Sequence, residues 1–150
     1  MPEPVSYSST TPRNAFPLLF AGQSQKETTV NEALTAIDFL LGATVEGIAQ
    51  SPPTAPTAGQ CWIVGTNATG AFAGHDSALA GWTDGGWRFL PPFEGLRVHD
   101  RAASAQRVFS ENWQLALAPP VPAGGATVDA EARACLVALL EALKDAGIIS

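Results

Sequence analysis

This sequence has little charge. Only 15% of its 150 residues are Asp, Glu, Lys or Arg, against about 25% in an average soluble domain. The eight basic residues are scattered and the net charge is −6, so no basic patch exists to hold nucleic acid and none is expected as a partner. No apolar stretch approaches the roughly 20 residues of a membrane-spanning helix, so membrane insertion is not expected either. The opening residues, MPEPVSYSSTTPR, contain no basic stretch followed by an apolar one and are not read as a signal peptide. Cysteine is scarce: Cys61 and Cys135 stand alone in different contexts. Two isolated cysteines make neither a disulfide framework nor a metal site, and both read as small buried hydrophobes.

The motifs of common chemistries are missing as well. There is no nucleophile elbow, no phosphate-binding loop and no dinucleotide-binding fingerprint. The glycines of Gly81-x-x-x-Gly85-Gly86 lie in a hairpin pattern rather than ahead of a helix. His75-Asp76 and His99-Asp100 hold the only histidines, and adjacent strand residues point to opposite faces, so neither pair forms a dyad by itself. These four residues would make a metal site only if their loops converged; nothing shows metal-ligand spacing, and no metal or other cofactor is expected. Glu94 and Asp100 are conceivable as a glycosidase pair, but no spacing rule selects them among 14 carboxylates. The chain is expected not to be an enzyme, with no catalytic residues.

What the sequence does have is glycine, proline and tryptophan: 14, 12 and 4 residues. They divide it. Residues 1–24, polar and proline-rich, read as an extended arm ending in the apolar anchor Phe16-Pro17-Leu18-Leu19-Phe20. Segment 25–50 reads as an N-terminal oligomerisation helix, with helical pattern over 29–49. Thr29 and Glu32 fit a capping box, and Val30, Leu34, Ile37, Leu41, Val45 and Ile48 form an apolar stripe. Its four-three spacing suits either a coiled-coil seam or an ordinary amphipathic core helix. Residues 51–59, with three prolines in the five residues 52–56, read as a semi-rigid linker.

Residues 60–117 read as antiparallel β. Strands are expected at 60–64, 79–83, 87–90, 96–99, 106–109 and 113–116, with Asp84-Gly85-Gly86 turning the second into the third. Residues 118–126 read as a second linker. The segment 127–150 carries a C-terminal helix over 127–147, capped by Thr127 or Asp129, ending at Gly147 and bearing the stripe Ala132, Leu136, Leu139, Leu143 and Ala146. Such a stripe, beyond a proline linker, requires a partner. The fold class is therefore α+β: an arm and helix, a small Trp-rich antiparallel β domain and a second helix, expected to be elongated and trimeric. The oligomer interface is expected at Val30, Leu34, Ile37, Leu41, Ile48, Leu136, Leu139 and Leu143. The short stripes leave dimer and trimer open.

All four tryptophans lie in the β segment. Flat indoles stack on the apolar faces of sugars, and a strand presents alternate residues on one side. Trp82, Trp87 and Trp113 are the candidate carbohydrate-binding residues; the competing role is filling the core of a small sheet.

The order of these residues resembles a family. Leu18-Leu19-Phe20-Ala21-Gly22-Gln23-Ser24-Gln25-Lys26-Glu27, then Val30-Asn31-Glu32-Ala33-Leu34 and Asp38, is similar to a phage and prophage family of unknown function that also occurs in gene transfer agents. Ser51-Pro52-Pro53 with Gly59, Thr69-Gly70-Ala71-Phe72-Ala73-Gly74, and Gly81-Trp82 with Gly86-Trp87-Arg88-Phe89 continue the likeness over residues 12–115. Val128 to Ile149 resembles a separate short tail that ends various phage structural proteins. The resemblance implies a fibre or head-spike component of a virion or phage-like particle, made in the bacterial cytoplasm. It implies attachment to other virion proteins through the arm and contact with host-surface polysaccharide. Gln23, Gln25, Lys26, Asn31 and Asp38 are the polar residues of the motif, expected to fix register or cap backbone groups at a subunit contact, or else to lie in solvent.

Overall fold

The first helix, α1 (Glu27–Leu40), is held from the side rather than from its ends. A computed structural model of the chain describes residues 9–20, 22, 26–121, 123 and 129–149. In it, residues 9–18 fold back on themselves: Leu18 N donates to Ser9 O and Thr11 N to Phe16 O. The resulting tight loop seats on Asp38, which is fully buried. The Asp38 carboxylate accepts from the Thr11 hydroxyl at 2.8 Å, Arg13 N at 2.8 Å, Asn14 N at 2.7 Å and Asn14 Nδ2 at 3.0 Å. A buried carboxylate is tolerated when its lone pairs are filled in this way. Arg13 extends the clamp, donating to Phe39 O at 3.0 Å and Thr44 O at 2.8 Å, with its guanidinium 5.6 Å from the centre of the Phe39 ring. One turn-pair earlier, Asn31 accepts from Leu19 N and donates to Leu19 O, acting as a strand partner would. Residues 9–20 are thus part of the folded body, not a free arm.

Helix α1 is shorter than its periodicity suggests. It ends at Leu40, and Gly42 then takes a left-handed φ of +61°. Thr44–Val45 forms β1 and Ile48–Ala49 forms β2. The helical stripe therefore stops at Leu41, and Ile48 belongs to a strand. The β-branched residues Thr44, Val45 and Ile48 favour strand once Gly42 has broken the helix. Thr29 and Glu32 make no capping box either: they lie inside α1, whose N-cap position is Lys26 with no side-chain cap.

Two four-stranded sheets follow. One has the order β1-β6-β7-β8, with β6 at Arg97–Asp100, β7 at Ala105–Ser110 and β8 at Asn112–Leu115. The other has the order β2-β3-β4-β5, with β3 at Cys61–Val64, β4 at Leu79–Thr83 and β5 at Gly86–Leu90. β1 and β2 pair in parallel with β6 and β3; the other pairs are antiparallel. Segment 43–49 stitches the sheets together. His99 N and Arg101 N donate to Ala43 O and Val45 O on one side, and Glu46 N and Ile63 N engage Cys61 O and Gly47 O on the other. The fold is α+β, as the pattern implies. The β4–β5 hairpin turns at Asp84-Gly85, with Gly86 at a φ of +99° that favours glycine.

The main core lies between the sheets under α1: Phe39, Val45, Cys61, Ile63, Leu79, Leu96 and Val98. Phe39 packs directly on the backbone of Gly81, where a Cβ would sit 2.5 Å from the ring. Glycine is required there because any side chain would have to displace Phe39. An ion pair, Asp100 to Arg107 Nε at 2.6 Å, closes the β6–β7 turn, with Asp100 also accepting from Ala103 N. The second helix, α2 (Ala130–Asp145), is capped by Asp129, whose carboxylate accepts from Ala132 N. Gly147 N and Ile148 N return to Lys144 O and Leu143 O, with Gly147 at φ +65°, a Schellman ending. None of the residues of α2 is buried. The cysteines separate: Cys61 is buried in the core, whereas Cys135, on α2, is exposed and not the small core residue its pattern suggests.

Two outcomes follow from this packing. Asp38→Ala takes the acceptor from the buried Thr11 hydroxyl and from the part-buried N–H groups of Arg13 and Asn14, and is expected to destabilise the chain by about 3 kcal/mol in urea unfolding, with proteolysis opening first between residues 9 and 20. Burial pushes the Cys61 thiol up from 9.0 to about 12. Its folded pKa exceeds its unfolded one, so this contribution to stability is complete below about pH 9 and is lost as pH rises from 9 toward 12. A disulfide reagent at pH 8 should accordingly titrate one thiol, Cys135, in the native chain and two in denaturant; two rapid native thiols would contradict the burial of Cys61.

Candidate functional site

The β2-β3-β4-β5 sheet has two unlike faces. Register places Trp62 beside Ala80 and Phe89, and Trp82 beside Trp87. Cys61, Ile63 and Leu79 point into the core under α1. The alternate residues Trp62, Val64, Ala80, Trp82, Trp87 and Phe89 share the opposite face. The loop of residues 65–78 crosses that face and lays the fully buried Phe72 on it. Asp76 holds this loop by accepting from Asn67 N at 3.0 Å and Ala68 N at 3.2 Å.

Trp87 is the hub of the uncovered end. Its ring meets Trp82 at 4.9 Å, Trp62 at 5.7 Å and Phe72 at 4.9 Å, all edge to face. At the other end His75, exposed, stacks flat on Phe89 at 3.7 Å. The three indoles are half-buried. No hydrogen bond within the described residues engages the Nε1–H of Trp62, Trp82 or Trp87, and none of these donors is fully enclosed. Three ring edges and faces with three open donors on one surface can both stack a ligand and hydrogen-bond it.

The expected ligand residues are thus only partly brought together. Trp82 and Trp87 are cross-strand neighbours. Trp113 is not with them: it lies on β8 of the other sheet, packs on Phe109 at 5.4 Å and donates its Nε1–H to Ser77 O at 2.8 Å. Its polar edge is already used, as befits a tryptophan at the margin of the core. Trp62 joins the site instead. Strand alternation with Cys61 and Ile63 inward already turns Trp62 outward, but only the β3–β4 register sets it against Trp87.

The polar motif residues turn inward as well. Asn31 and Asp38 cap backbone groups, but those of the chain's own residues 11–19. Lys26 is exposed at the start of α1; Gln23 and Gln25 lie outside the described residues. Of the interface set, Ile37 is 50% and Leu41 56% exposed, and Val30 is exposed too, with Leu34 half-buried. Ile48 is exposed on β2. Leu136 and Leu139 are exposed on α2, and together with Leu143 they border an apolar groove against Pro119 and Pro120.

The other groups weighed from the sequence stay apart. Asp100 is committed to Arg107, Asp76 to the 67–68 backbone, and His99 packs beside Gly147 at the end of α2. Glu94 is exposed in the loop after β5. Among the described residues, no three of His, Cys, Asp and Glu gather as metal ligands, and no helix is long and apolar enough to cross a membrane.

The ring contacts separate two variants. Trp87→Ala removes three edge-to-face contacts worth roughly 0.5–1.5 kcal/mol each, whereas Trp82→Ala removes one. Urea unfolding should show the Trp87 variant less stable than the Trp82 variant by about 2 kcal/mol; equal losses would mean that Trp82 is as much a core residue as Trp87.

Comparison with curated proteins gives no match. The pattern of the β region together with most of α1, residues 30–114, matches the family described as Protein of unknown function (DUF2793). That span is more than half of the 150 residues, and the chain belongs to the DUF2793 family.

Proposed function

We propose that the chain is a non-catalytic, self-associating component of a phage or gene-transfer-agent particle, a head-spike or tail-fibre subunit that presents its β domain to the host surface. The observation that carries this reading is the apolar stripe that α1 leaves exposed. Its polar residues Asn31, Thr35 and Asp38 face the chain's own residues 9–20, or hydrogen-bond locally. Its apolar residues Val30 and Ile37, with Leu41 just past its end, are exposed, while Phe39 packs into the core. A single chain leaves that stripe wet. Copies packing it around a symmetry axis would dry it, and four-three spacing is the spacing that identical helices use. The motif order of residues 18–38, with its likeness to phage and prophage proteins, supports the particle setting.

A second reading is a carbohydrate-binding module, favoured by the open donors and half-buried rings of Trp62, Trp82 and Trp87. The two readings are compatible: an assembled subunit would carry one such face per chain.

Light scattering over a dilution series tests the first. The expected mass is about three times 15.6 kDa, unchanged on dilution, and Ile37→Glu with Leu41→Glu should reduce it to one chain while leaving the circular dichroism spectrum intact. A monomer at all concentrations in the unsubstituted chain would remove self-association through α1.

A further inference from the structure

A concave surface lies beside the tip of the β4–β5 hairpin. It is a cleft of about 580 Å³ between residues 9–15, the flank of α1 and the β4–β5 turn. Its volume falls within the ~300–1,000 Å³ of small-ligand sites. Its walls carry both apolar and polar groups, and several of the polar ones are already engaged within the chain. The hydroxyls of Thr11, Thr35 and Thr83 donate to Asp38, Asn31 O and Gly86 O. These bonds make the wall rigid and leave the remaining groups to face the space.

Those remaining groups are of mixed kind. The hydroxyls of Ser9 and Thr10 and the carboxylate of Asp84 line the cleft and make no hydrogen bond or ion pair within the described residues. Arg88 Nε pairs with Glu32 at 3.2 Å, with Glu32 half exposed. Arg88 Nη1 also donates to Trp87 O at 3.1 Å, which fixes the guanidinium at the base of the hairpin. Arg13 contributes the second cation and is clamped to Phe39 O and Thr44 O.

The charges balance: two guanidiniums, Arg13 and Arg88, against two carboxylates, Glu32 and Asp84. An anion would meet both carboxylates, and a cation both guanidiniums. An apolar ligand would make no use of the exposed hydroxyls of Ser9 and Thr10 or of the Asp84 carboxylate. A neutral ring bearing adjacent hydroxyls satisfies every group, since each hydroxyl donates to a carboxylate and accepts from a guanidinium. The cleft and the indole surface share the same hairpin, for Trp82 and Trp87 precede and follow the turn whose Asp84 and Gly85 line the cleft. We propose that this cleft is a polar subsite for a neutral, hydroxyl-rich sugar residue of the same glycan chain whose neighbouring residues stack on Trp62 and Trp82. This inference rests on the carbohydrate-binding reading above and gives that site a second part and a ligand class.

The test uses the full chain on an array of neutral and acidic bacterial oligosaccharides, followed by titration of the strongest binder by calorimetry. Four variants are compared: Trp82→Ala on the indole surface, and Asp84→Asn, Glu32→Gln and Ala58→Trp in the cleft. Ala58 lines the cleft without contributing a polar group, so tryptophan there fills the space. The expected result is a neutral glycan as strongest binder, with Kd raised about tenfold by Asp84→Asn and by Glu32→Gln, and binding abolished by Ala58→Trp. Thermal melting of each variant confirms the fold; should Ala58→Trp not fold, the two isosteric changes decide. If Trp82→Ala abolishes binding while all cleft variants bind as the unsubstituted chain does, the cleft proposal is overturned and the indole reading stands. Selection of acidic glycans overturns the neutral class, and no glycan binding at all overturns both readings.

Discussion

Asp38 is the point on which the rest of the molecule depends. A carboxylate this deeply buried is destabilising unless every lone pair is filled. The chain fills them with donors from Thr11, Arg13 and Asn14, more than twenty residues away. That capture turns a proline-rich segment into a structural loop. It also places Arg13 over Phe39 and across to Thr44 O, so the loop, the end of α1 and the first strand are locked together. Phe39 is held in turn against Gly81, the only residue type that admits its ring. One buried charge thus sets the position of α1 on the sheet, and through Gly81 the position of the β4–β5 hairpin.

The same arrangement decides what each surface has to offer. Because Asn31 and Asp38 of α1 are used on the chain's own loop, Val30 and Ile37 are left outward, while Phe39 and Leu40 pack into the core. Because Phe39 occupies the inner face at Gly81, the large indoles of β3, β4 and β5 are on the outer face. There the 65–78 loop lays Phe72 on the sheet and leaves Trp62, Trp82 and Trp87 half in solvent. The protein therefore spends its aromatic residues twice. They pack edge to face with one another, which stabilises a small sheet, and they keep three indole donors available.

Trp87 and Trp82 are held unequally within one cluster. Trp87 meets three rings, whereas Trp82, at the edge, meets one. The neighbouring cleft follows the same logic with polar groups. Thr11, Thr35 and Thr83 are consumed by internal bonds, and Ser9, Thr10 and Asp84 are left over.

Much of this fold is written locally. The alternation of residues 79–90 around Asp84-Gly85-Gly86, the strands near 97–100 and 105–115, and α2 between Asp129 and Gly147 all follow from short-range rules of period, turn and cap. Local pattern also placed four tryptophans in the β segment and exposed an apolar stripe over Val30–Leu41. What it could not supply were consequences of contacts between distant residues. The end of α1 at Leu40 depends on Gly42 and on strand partners at 63–64 and 99–100. The burial of Asp38 and the pairing of Asn31 with Leu19 depend on a loop more than ten residues away. The exchange of Trp113 for Trp62 depends on register between strands and on Ser77 O reaching one indole and not the others. A helix period or a turn is determined by neighbours in sequence, whereas the use of a side chain's last hydrogen bond is determined by whatever the fold brings beside it.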